Sequence, residues 1–142
     1  MRVLLATDGS DPALRACRYL VSLVHSGRDE VRLLTVLSYS LYPYSGIPDE
    51  PLADEAQRER HVIEEVHRIT DEPRSILEAA EKSADVVHRF GNVTEEIVAE
   101  IDEWHPDLVV VGRRGVHGIE RVIGSVSEHV LHHSKVPMLL VP

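Results

Sequence analysis

The segment with the clearest chemical potential is a glycine-rich stretch near the end of the sequence. Gly112 follows an apolar run directly, Gly115 comes three residues later, and after eight further residues come Gly124 and Ser125. Glycines at the end of a strand allow the backbone to approach a ligand closely and to turn N–H groups toward an anion. Ser125, with Glu128 three residues later, has the spacing of a capping box that begins a helix. The pattern has two interpretations: a site for a phosphate-bearing ligand at a helix N-terminus, or glycines that only form turns beside solvated arginines. The residues alone favour the second, because short glycine patterns are common.

The distribution of charge points to the same segment. The 142 residues include 24 acidic and 15 basic side chains, which gives a formal net charge of −9. Residues 112–135 nevertheless have a local charge of +2, from Arg113, Arg114, Arg121 and Lys135 against two glutamates. An acidic surface excludes nucleic acid and anionic membranes as partners of the protein as a whole. We therefore expect any anionic ligand to be small and to bind at this basic segment.

Other residues offer weaker candidates for chemistry. Nine histidines are scattered along the chain without a His-Glu-x-x-His pattern. His129 and His133 share a helical face, but the sequence identifies no third ligand, which favours a structural role over a metal site. Cys17 falls on the apolar side of a predicted helix without an adjacent base, which predicts a buried, unreactive thiol. Since no side chain has the features of a general base, we assign no catalytic residue.

The elements that must position these residues alternate between strand and helix. Short apolar runs predict strands buried on both faces, as in parallel sheets. These strands are Val3–Ala6, Val31–Leu37, Asp85–Phe90, Leu108–Val111 and Met138–Val141. The helices run from Asp11 as N-cap to Gly27, from Leu52 to about Ser83 with a kink or a break at Pro73, from Asn92 to Pro106, and over about Ser125–Ser134, and a turn-rich loop covers 38–51. The alternation predicts a parallel sheet between two layers of helices.

Length and cysteine content indicate the number of domains and the cellular compartment. With 43% hydrophobic residues, a chain of this length suffices for one buried core, so we expect a single domain over residues 1–142. One cysteine cannot form an internal disulfide, which is typical of a reducing compartment. The sequence has no secretory leader pattern and no apolar run of 18 residues. We therefore expect a soluble, cytoplasmic protein.

Several of these segments together resemble the universal stress protein family. The similarity rests on the opening Val-Leu-Leu-Ala-Thr-Asp-Gly-Ser, the strand Leu33-Leu34-Thr35-Val36, the Gly-x-x-Gly and Gly-Ser-Val-Ser-Glu-His-Val pattern, and the closing Val-Pro-Met-Leu-Leu-Val. The resemblance implies a three-layer α/β sandwich of the adenine nucleotide alpha hydrolase-like type, with a five-stranded parallel sheet in the order 3-2-1-4-5. Strands 1 and 4 then meet at a topological switch point, where open α/β sheets bind ligands.

The resemblance also implies an adenine nucleotide site, with ATP as the cofactor and with Mg²⁺, where present, held by the nucleotide. The adenosine end would lie near Ala6, Thr7, Asp8 and Val36. The phosphates would lie mostly on backbone N–H groups of Gly112, Gly115, Gly124, Ser125 and Val126, with hydroxyl groups from Ser125 and Ser127. Arg113 and Arg114 would neutralise the phosphate charge, and Val111 at the end of the fourth strand would also contact the nucleotide. A carboxylate such as Asp8 accepts hydrogen bonds from ribose or the adenine amino group but repels phosphate, which assigns it to the adenosine end.

One departure from the family's pattern leaves two functions open. The spacer between Gly115 and Gly124 has eight residues, whereas nine are usual in the family. The first function is an ATP-binding regulatory protein of the stress response. The second is a nucleotide-free dimeric interaction module whose phosphate loop is one residue short. The resemblance implies a homodimer formed through the strand Met138–Val141, and an unidentified protein partner.

Overall fold

The structure, a computed structural model, describes residues 1–37, 55–113 and 125–142. Strands and helices alternate along these residues, as predicted. The elements are β1 (Arg2–Ala6), α1 (Asp11–Leu23), β2 (Glu30–Leu37), α2 (Glu55–Ala79), β3 (Ala84–Phe90), α3 (Val93–Trp104), β4 (Leu108–Gly112), α4 (Ser125–His133) and β5 (Met138–Val141). The predicted loop 38–51 and the predicted first residues of the second helix lie outside the described residues.

All five strands form one parallel sheet in the order β3-β2-β1-β4-β5. This order confirms the expected fold class, with β1 and β4 adjacent at the centre. In the register of the sheet, Leu5 of β1 lies beside Leu33 of β2 and Val110 of β4. Because β1 has neighbours on both sides, its backbone groups are paired within the sheet, and the side chains of Val3, Leu4 and Leu5 are buried beneath the helices.

Helices cover both faces of the sheet. Consecutive strand residues point to opposite faces, so Leu4 and Leu5 enter different cores, which explains the uninterrupted apolar runs. The core beneath α1 and α2 includes Val3, Leu5, Cys17, Leu20, Leu33, Leu77 and Val110. The core beneath α3 and α4 includes Leu4, Leu34, Ile97, Ile101, Val109, Val111 and Val130. Across the three described ranges, no helix combines the length and the apolar character needed to cross a membrane.

The first helix differs from its predicted bounds at both ends. Asp11 is the first helical residue and Ser10 is the N-cap, so the predicted N-cap at Asp11 is wrong by one position. The Ser10 side chain makes no capping hydrogen bond, and its backbone N–H donates to Asp8 Oδ1 at 3.0 Å instead. The helix ends at Leu23, before the predicted end at Gly27. Gly27 lies in the following turn with a φ of +75°, so this glycine serves the turn and not the helix end.

The second helix continues through Pro73. It covers Glu55–Ala79, so the predicted alternative of two helices meeting at this proline is wrong. Proline has no N–H, and the Ile69 carbonyl therefore lacks its usual partner four residues later. Pro73 is fully buried, and its carbonyl accepts the Cys17 S–H at 3.3 Å. Packing against α1 thus holds the proline inside a helix that local preference alone would interrupt.

The third helix begins and ends as the sequence predicts. Asn92 Oδ1 accepts the backbone N–H groups of Thr94 at 3.0 Å and Glu95 at 3.3 Å, which makes Asn92 the N-cap. At the other end, His105 adopts the left-handed conformation with a φ of +52°, and Pro106 follows directly. The side chains of α3 that face the sheet are apolar, except for one buried carboxylate.

That carboxylate, Glu100, joins α3 to β2 and β3. Its two oxygens accept hydrogen bonds from Arg32 Nη1 at 2.7 Å and Arg89 Nη1 at 2.9 Å. Arg89 also pairs with Glu103 at 3.0 Å and with Glu96 at 2.8 Å. Hydrogen bonding to Glu103 raises the pKa of Arg89, and the same contact lowers the pKa of the Glu103 carboxyl. Since β3 is an edge strand, this cluster ties the edge of the sheet to the helix that covers it.

We predict that Glu100→Ala lowers the free energy of unfolding by about 2 to 3 kcal/mol, because two charge-assisted hydrogen bonds are lost and two arginines keep only their outer partners. Urea unfolding measures the effect. The matched control is Glu78→Ala, which breaks the exposed Arg74–Glu78 pair on α2 and should cost less than about 1 kcal/mol. Equal stability losses in the two variants would contradict the prediction.

Candidate functional site

A cavity of about 500 Å³ lies at the carboxyl ends of β1, β2 and β4. It lies at the switch point of the sheet, because the chain leaves β1 toward α1 on one face and β4 toward α4 on the other. Its volume is in the range of small-molecule sites. The described lining residues are Ala6, Thr7, Asp8, Ser10, Ala13, Leu34, Val36, Arg68, Ile69, Val93, Ile97, Val111, Gly112, Ser125, Val126 and Ser127.

The turn after β1 is fixed by three hydrogen bonds. The Thr7 N–H donates to the Leu34 carbonyl of β2 at 2.9 Å, and Thr7 Oγ1 accepts the Gly9 N–H at 3.2 Å. Asp8 Oδ1 accepts the Ser10 N–H at 3.0 Å. Gly9 has a φ of +76°, which favours glycine at this position. The turn therefore places the Asp8 carboxylate at the cavity wall in a defined orientation.

A second wall is the first turn of α4. This helix begins at Ser125, and Ser125, Val126 and Ser127 all line the cavity. Ser125 is exposed, whereas Ser127 is buried. The first N–H groups of a helix have no carbonyl partner within the helix, and the positive end of the helix dipole lies there. This wall is therefore suited to an anion, while the wall that contains Asp8 is suited to hydrogen-bond donors.

The structure brings together most residues that the sequence predicts for the site. The residues that line the cavity as expected are Ala6, Thr7, Asp8, Val36, Val111, Gly112, Ser125, Val126 and Ser127. Arg113 is not among the lining residues, and its backbone N–H donates to the Val141 carbonyl at 2.7 Å beside the β4–β5 pair. Arg114, Gly115 and Gly124 lie outside the described residues. Contacts of all these residues with a nucleotide stay predictions.

Gly112 has a packing role that its place in the glycine-rich pattern does not reveal. A Cβ atom on Gly112 would lie 2.3 Å from the carbonyl carbon of Pro12 and 2.5 Å from the backbone nitrogen of Ala13. The backbone of the first turn of α1 therefore packs directly against the backbone at the end of β4. Only glycine permits this approach, so the residue is required for the helix–strand contact whether or not a phosphate binds.

Two lining residues come from α2, which the sequence did not connect with the site. Arg68 donates to both carboxylate oxygens of Glu65, at 2.9 and 2.6 Å. These hydrogen bonds lower the pKa of Glu65 and raise the pKa of Arg68. Ile69 lies against the turn after β1, since a Cβ on Gly9 would be 3.4 Å from the Ile69 Cα. Charges spread over α2 indicate only a solvated helix, and tertiary packing alone brings Arg68 to the cavity.

Five further lining residues were also not predicted, although the sequence pattern could have indicated two of them. They are Ser10, Ala13, Leu34, Val93 and Ile97. Leu34 lies two residues before Val36 on the same strand and therefore points to the same face. Val93 is the first residue of α3, which places it at the carboxyl edge of the parallel sheet. Alternation in strands and the position of helix starts could have indicated both.

The described histidines and the cysteine form no cluster suited to a metal ion. Within residues 1–37, 55–113 and 125–142, no group of three or more His, Cys, Asp or Glu side chains could hold a metal ion. The rings of His129 and His133 stack with centroids 4.0 Å apart, and His133 Nδ1 lies 2.8 Å from the His129 carbonyl oxygen. The predicted burial of Cys17 is confirmed, and burial raises the pKa of its thiol to about 11. A thiol that stays protonated at neutral pH is a poor nucleophile.

Comparisons with known proteins agree with the fold. The model of the Universal stress protein family matches residues 1–142. Universal stress protein YxiE of Bacillus subtilis is 32% identical over 149 residues, covering 99% of this chain and 97% of its own. The solved structure of UspA from Lactobacillus plantarum superposes with a TM-score of 0.74 at 21% identity, covering 100% of this chain and 97% of its own. A universal stress protein solved in complex with cAMP has a TM-score of 0.64 at 25% identity, covering 100% of this chain and 96% of its own.

We predict that Gly112→Ala lowers the free energy of unfolding by about 3 kcal/mol, because the new Cβ must displace the backbone of α1. Thermal or urea unfolding measures this loss. Gly27→Ala serves as the control: it has a positive φ but open space around it, so only backbone strain of about 1 kcal/mol is expected. An alanine at position 112 that leaves stability unchanged would show that the glycine is not required for packing.

A second prediction concerns Cys17 and alkaline pH. In the unfolded chain the thiol ionises near its ordinary pKa of 9.0, whereas the folded protein retains the proton up to about pH 11. The folded state thus binds more protons in this window, and the free energy of unfolding falls as the pH rises through it, by about 2 to 3 kcal/mol. Cys17→Ala should lack this part of the decline in urea titrations at pH 8 to 11. Parallel pH profiles for the variant and the wild type would refute the assignment.

Proposed function

The chain belongs to the universal stress protein family, and on that basis we propose that it is an ATP-binding regulatory protein of the stress response. The nucleotide binds in the cavity between β1 and β4, within a single domain over residues 1–142. The observation on which the proposal depends is the combination of two unlike walls in one cavity of about 500 Å³. One wall offers the Asp8 carboxylate, and the other offers the N-terminus of α4.

The two walls suit opposite ends of the nucleotide. The adenosine lies near Ala6, Asp8 and Val36, where the carboxylate accepts hydrogen bonds from hydroxyl or amino groups. The phosphates lie on Gly112 and the first turn of α4, including Ser125, Val126 and Ser127, together with the predicted Arg114, Gly115 and Gly124. Each helix N-terminus contributes about 0.3 to 1 kcal/mol to anion binding at an exposed site, so several donors must act together. The family member solved with cAMP supports an adenine nucleotide as the ligand class.

Regulation suits the site better than rapid turnover. Among the described lining residues, the ionisable side chains are Asp8 and Arg68. Asp8 already accepts a backbone hydrogen bond within its own turn, and arginine stays protonated at neutral pH, so neither group suits a general base. We propose that bound ATP, with or without Mg²⁺, changes the conformation or the partner choice of a cytoplasmic homodimer. A slow ATPase activity with water positioned by the loop is compatible with this arrangement.

The second candidate is a nucleotide-free dimeric interaction module. It is favoured by the eight-residue spacer between Gly115 and Gly124. In both candidates β5 lies at the edge of the sheet. An apolar edge strand is a ready template for pairing with another strand. Met138–Val141 would pair with its copy in a homodimer in either function. The two candidates therefore differ only in whether the cavity binds a nucleotide.

Calorimetric titration of ATP, with and without Mg²⁺, distinguishes the two candidates. We predict that the wild type binds ATP and that Ser125→Asp weakens binding by about tenfold, because the added charge repels phosphate at the first turn of α4. The control is Ser125→Asn, because asparagine has nearly the same shape as aspartate but no charge. The ATP affinity of this variant should stay within about threefold of the wild type. Both variants keep a residue that is compatible with a helix start. Absence of binding by the wild type at millimolar ATP would favour the nucleotide-free module.

A further inference from the structure

A cation at the cavity wall comes from α2 and not from the basic glycine-rich segment. Arg68 is the only positively charged residue among the described lining residues, and Asp8 is the only negatively charged one. Arg113, which the local charge pattern favours, does not line the cavity. The described part of the site therefore has its positive side chain on a helix whose sequence shows no phosphate-binding pattern.

The position of Arg68 relative to the α4 wall follows from the layers. Arg68 is next to Ile69, whose backbone lies against the turn after β1 on the α1 and α2 side of the sheet. Ser125 begins α4, which covers the other face of the sheet. A ligand in the cavity therefore has Arg68 on one side and the N-terminus of α4 on the other. Two groups that favour negative charge thus flank one cavity from different layers.

In the structure, Arg68 forms an ion pair with a carboxylate on its own helix. Its Nε and Nη2 donate to the two oxygens of Glu65, at 2.9 and 2.6 Å, in the bidentate geometry typical of arginine with carboxylates and phosphates. The Arg68 side chain is 64% exposed and that of Glu65 is 23% exposed, so the pair is only partly shielded from water. Exposed ion pairs of this kind are weak, which means that a ligand of higher charge can displace the carboxylate.

We propose that Arg68 is a specificity-determining residue that binds the phosphates of the ligand, and that Glu65 competes with the ligand for it. This inference rests on the proposed function, since it assumes that a phosphate-bearing ligand enters this cavity. On binding, the Arg68 guanidinium exchanges the two oxygens of Glu65 for two phosphate oxygens. The exchange makes affinity increase with phosphate charge and leaves the adenosine contacts at Asp8 unchanged.

Helix α2 itself provides a matched control. Arg74 donates to Glu78 at 3.0 Å on the same helix, and both side chains are more than half exposed. Neither residue lines the cavity. A substitution in this pair changes the charge of α2 in the same way as a substitution in the Arg68–Glu65 pair. Comparison of the two pairs therefore separates a contact with the ligand from a general effect of charge.

The experiment is calorimetric titration of ATP, adenosine and inorganic tripolyphosphate into the wild type and four variants, at low and at high salt. We expect Arg68→Gln to weaken ATP binding by about five- to tenfold and to leave adenosine unchanged. We expect Glu65→Gln to tighten ATP binding by about two- to threefold, with the gain reduced at high salt. Arg74→Gln should change ATP affinity by less than about twofold.

The double variant Glu65→Gln/Arg68→Gln decides the mechanism. If Glu65 acts through Arg68, the double variant binds ATP as weakly as Arg68→Gln alone. If Glu65→Gln tightens binding equally with and without Arg68, the effect is a general charge effect and the proposal is overturned. If Glu65→Gln tightens the binding of tripolyphosphate and ATP to a similar extent, recognition of phosphate itself is supported. Tighter binding of adenosine by this variant overturns the proposal.

The outcomes for this inference and for the proposed function are distinct. If the wild type binds ATP and no variant at positions 65 or 68 changes the affinity, the inference fails and the proposed function stands. If only Glu65→Gln binds ATP, competition by Glu65 is supported, and the proposed function fails for the wild type. If neither the wild type nor Glu65→Gln binds ATP or tripolyphosphate at millimolar concentration, both proposals fail.

Discussion

The close contact between α1 and the end of β4 determines the geometry of the site. The backbone of Pro12 and Ala13 occupies the space that a side chain on Gly112 would need. The contact holds the first turn of α1 against the central strands, so the turn that contains Asp8 has one fixed position beside β4. Because α4 follows β4 on the opposite face, the two segments leave a cleft between them. The cavity therefore results from how two neighbouring strands connect to helices on different faces.

The three-layer architecture also separates the electrostatic roles around this cleft. The α1 and α2 layer provides Asp8 and the paired Arg68, while the α3 and α4 layer provides a helix N-terminus. Away from the cleft, the buried Glu100 holds α3 to β2 and β3 through Arg32 and Arg89. The charged groups around Glu100 thus pair with one another inside the fold. At the cleft, by contrast, Asp8 accepts a hydrogen bond within its own turn, and Arg68 belongs to an exposed ion pair. The groups at the cleft can exchange partners when a ligand binds.

The sequence was sufficient to predict the order of the elements and the strands of the site, because those depend on local apolar runs and on where each run ends. It was not sufficient where tertiary contacts override local preference. Pro73 suggested a break, yet the helix continues because burial and the Cys17 contact stabilise it. Gly27 suggested a helix end but serves a turn. Arg68 had no signal, since its place at the cavity depends on how α2 packs against the turn after β1.

Gly112 shows why a glycine pattern is weak evidence for a bound phosphate. This glycine is required by packing between α1 and β4, so the chain needs it even if the cavity binds nothing. The same holds for Gly9, whose positive φ shapes the turn after β1. Evidence for a ligand must therefore come from polar residues at the cavity for which the fold has no need. Ser125 is exposed at the start of α4, and Arg68 pairs only weakly with its neighbour, so these two residues are the informative ones. A nucleotide-free relative could lose the Arg68–Glu65 pair at little cost in stability, whereas a side chain at position 112 would displace the backbone of α1.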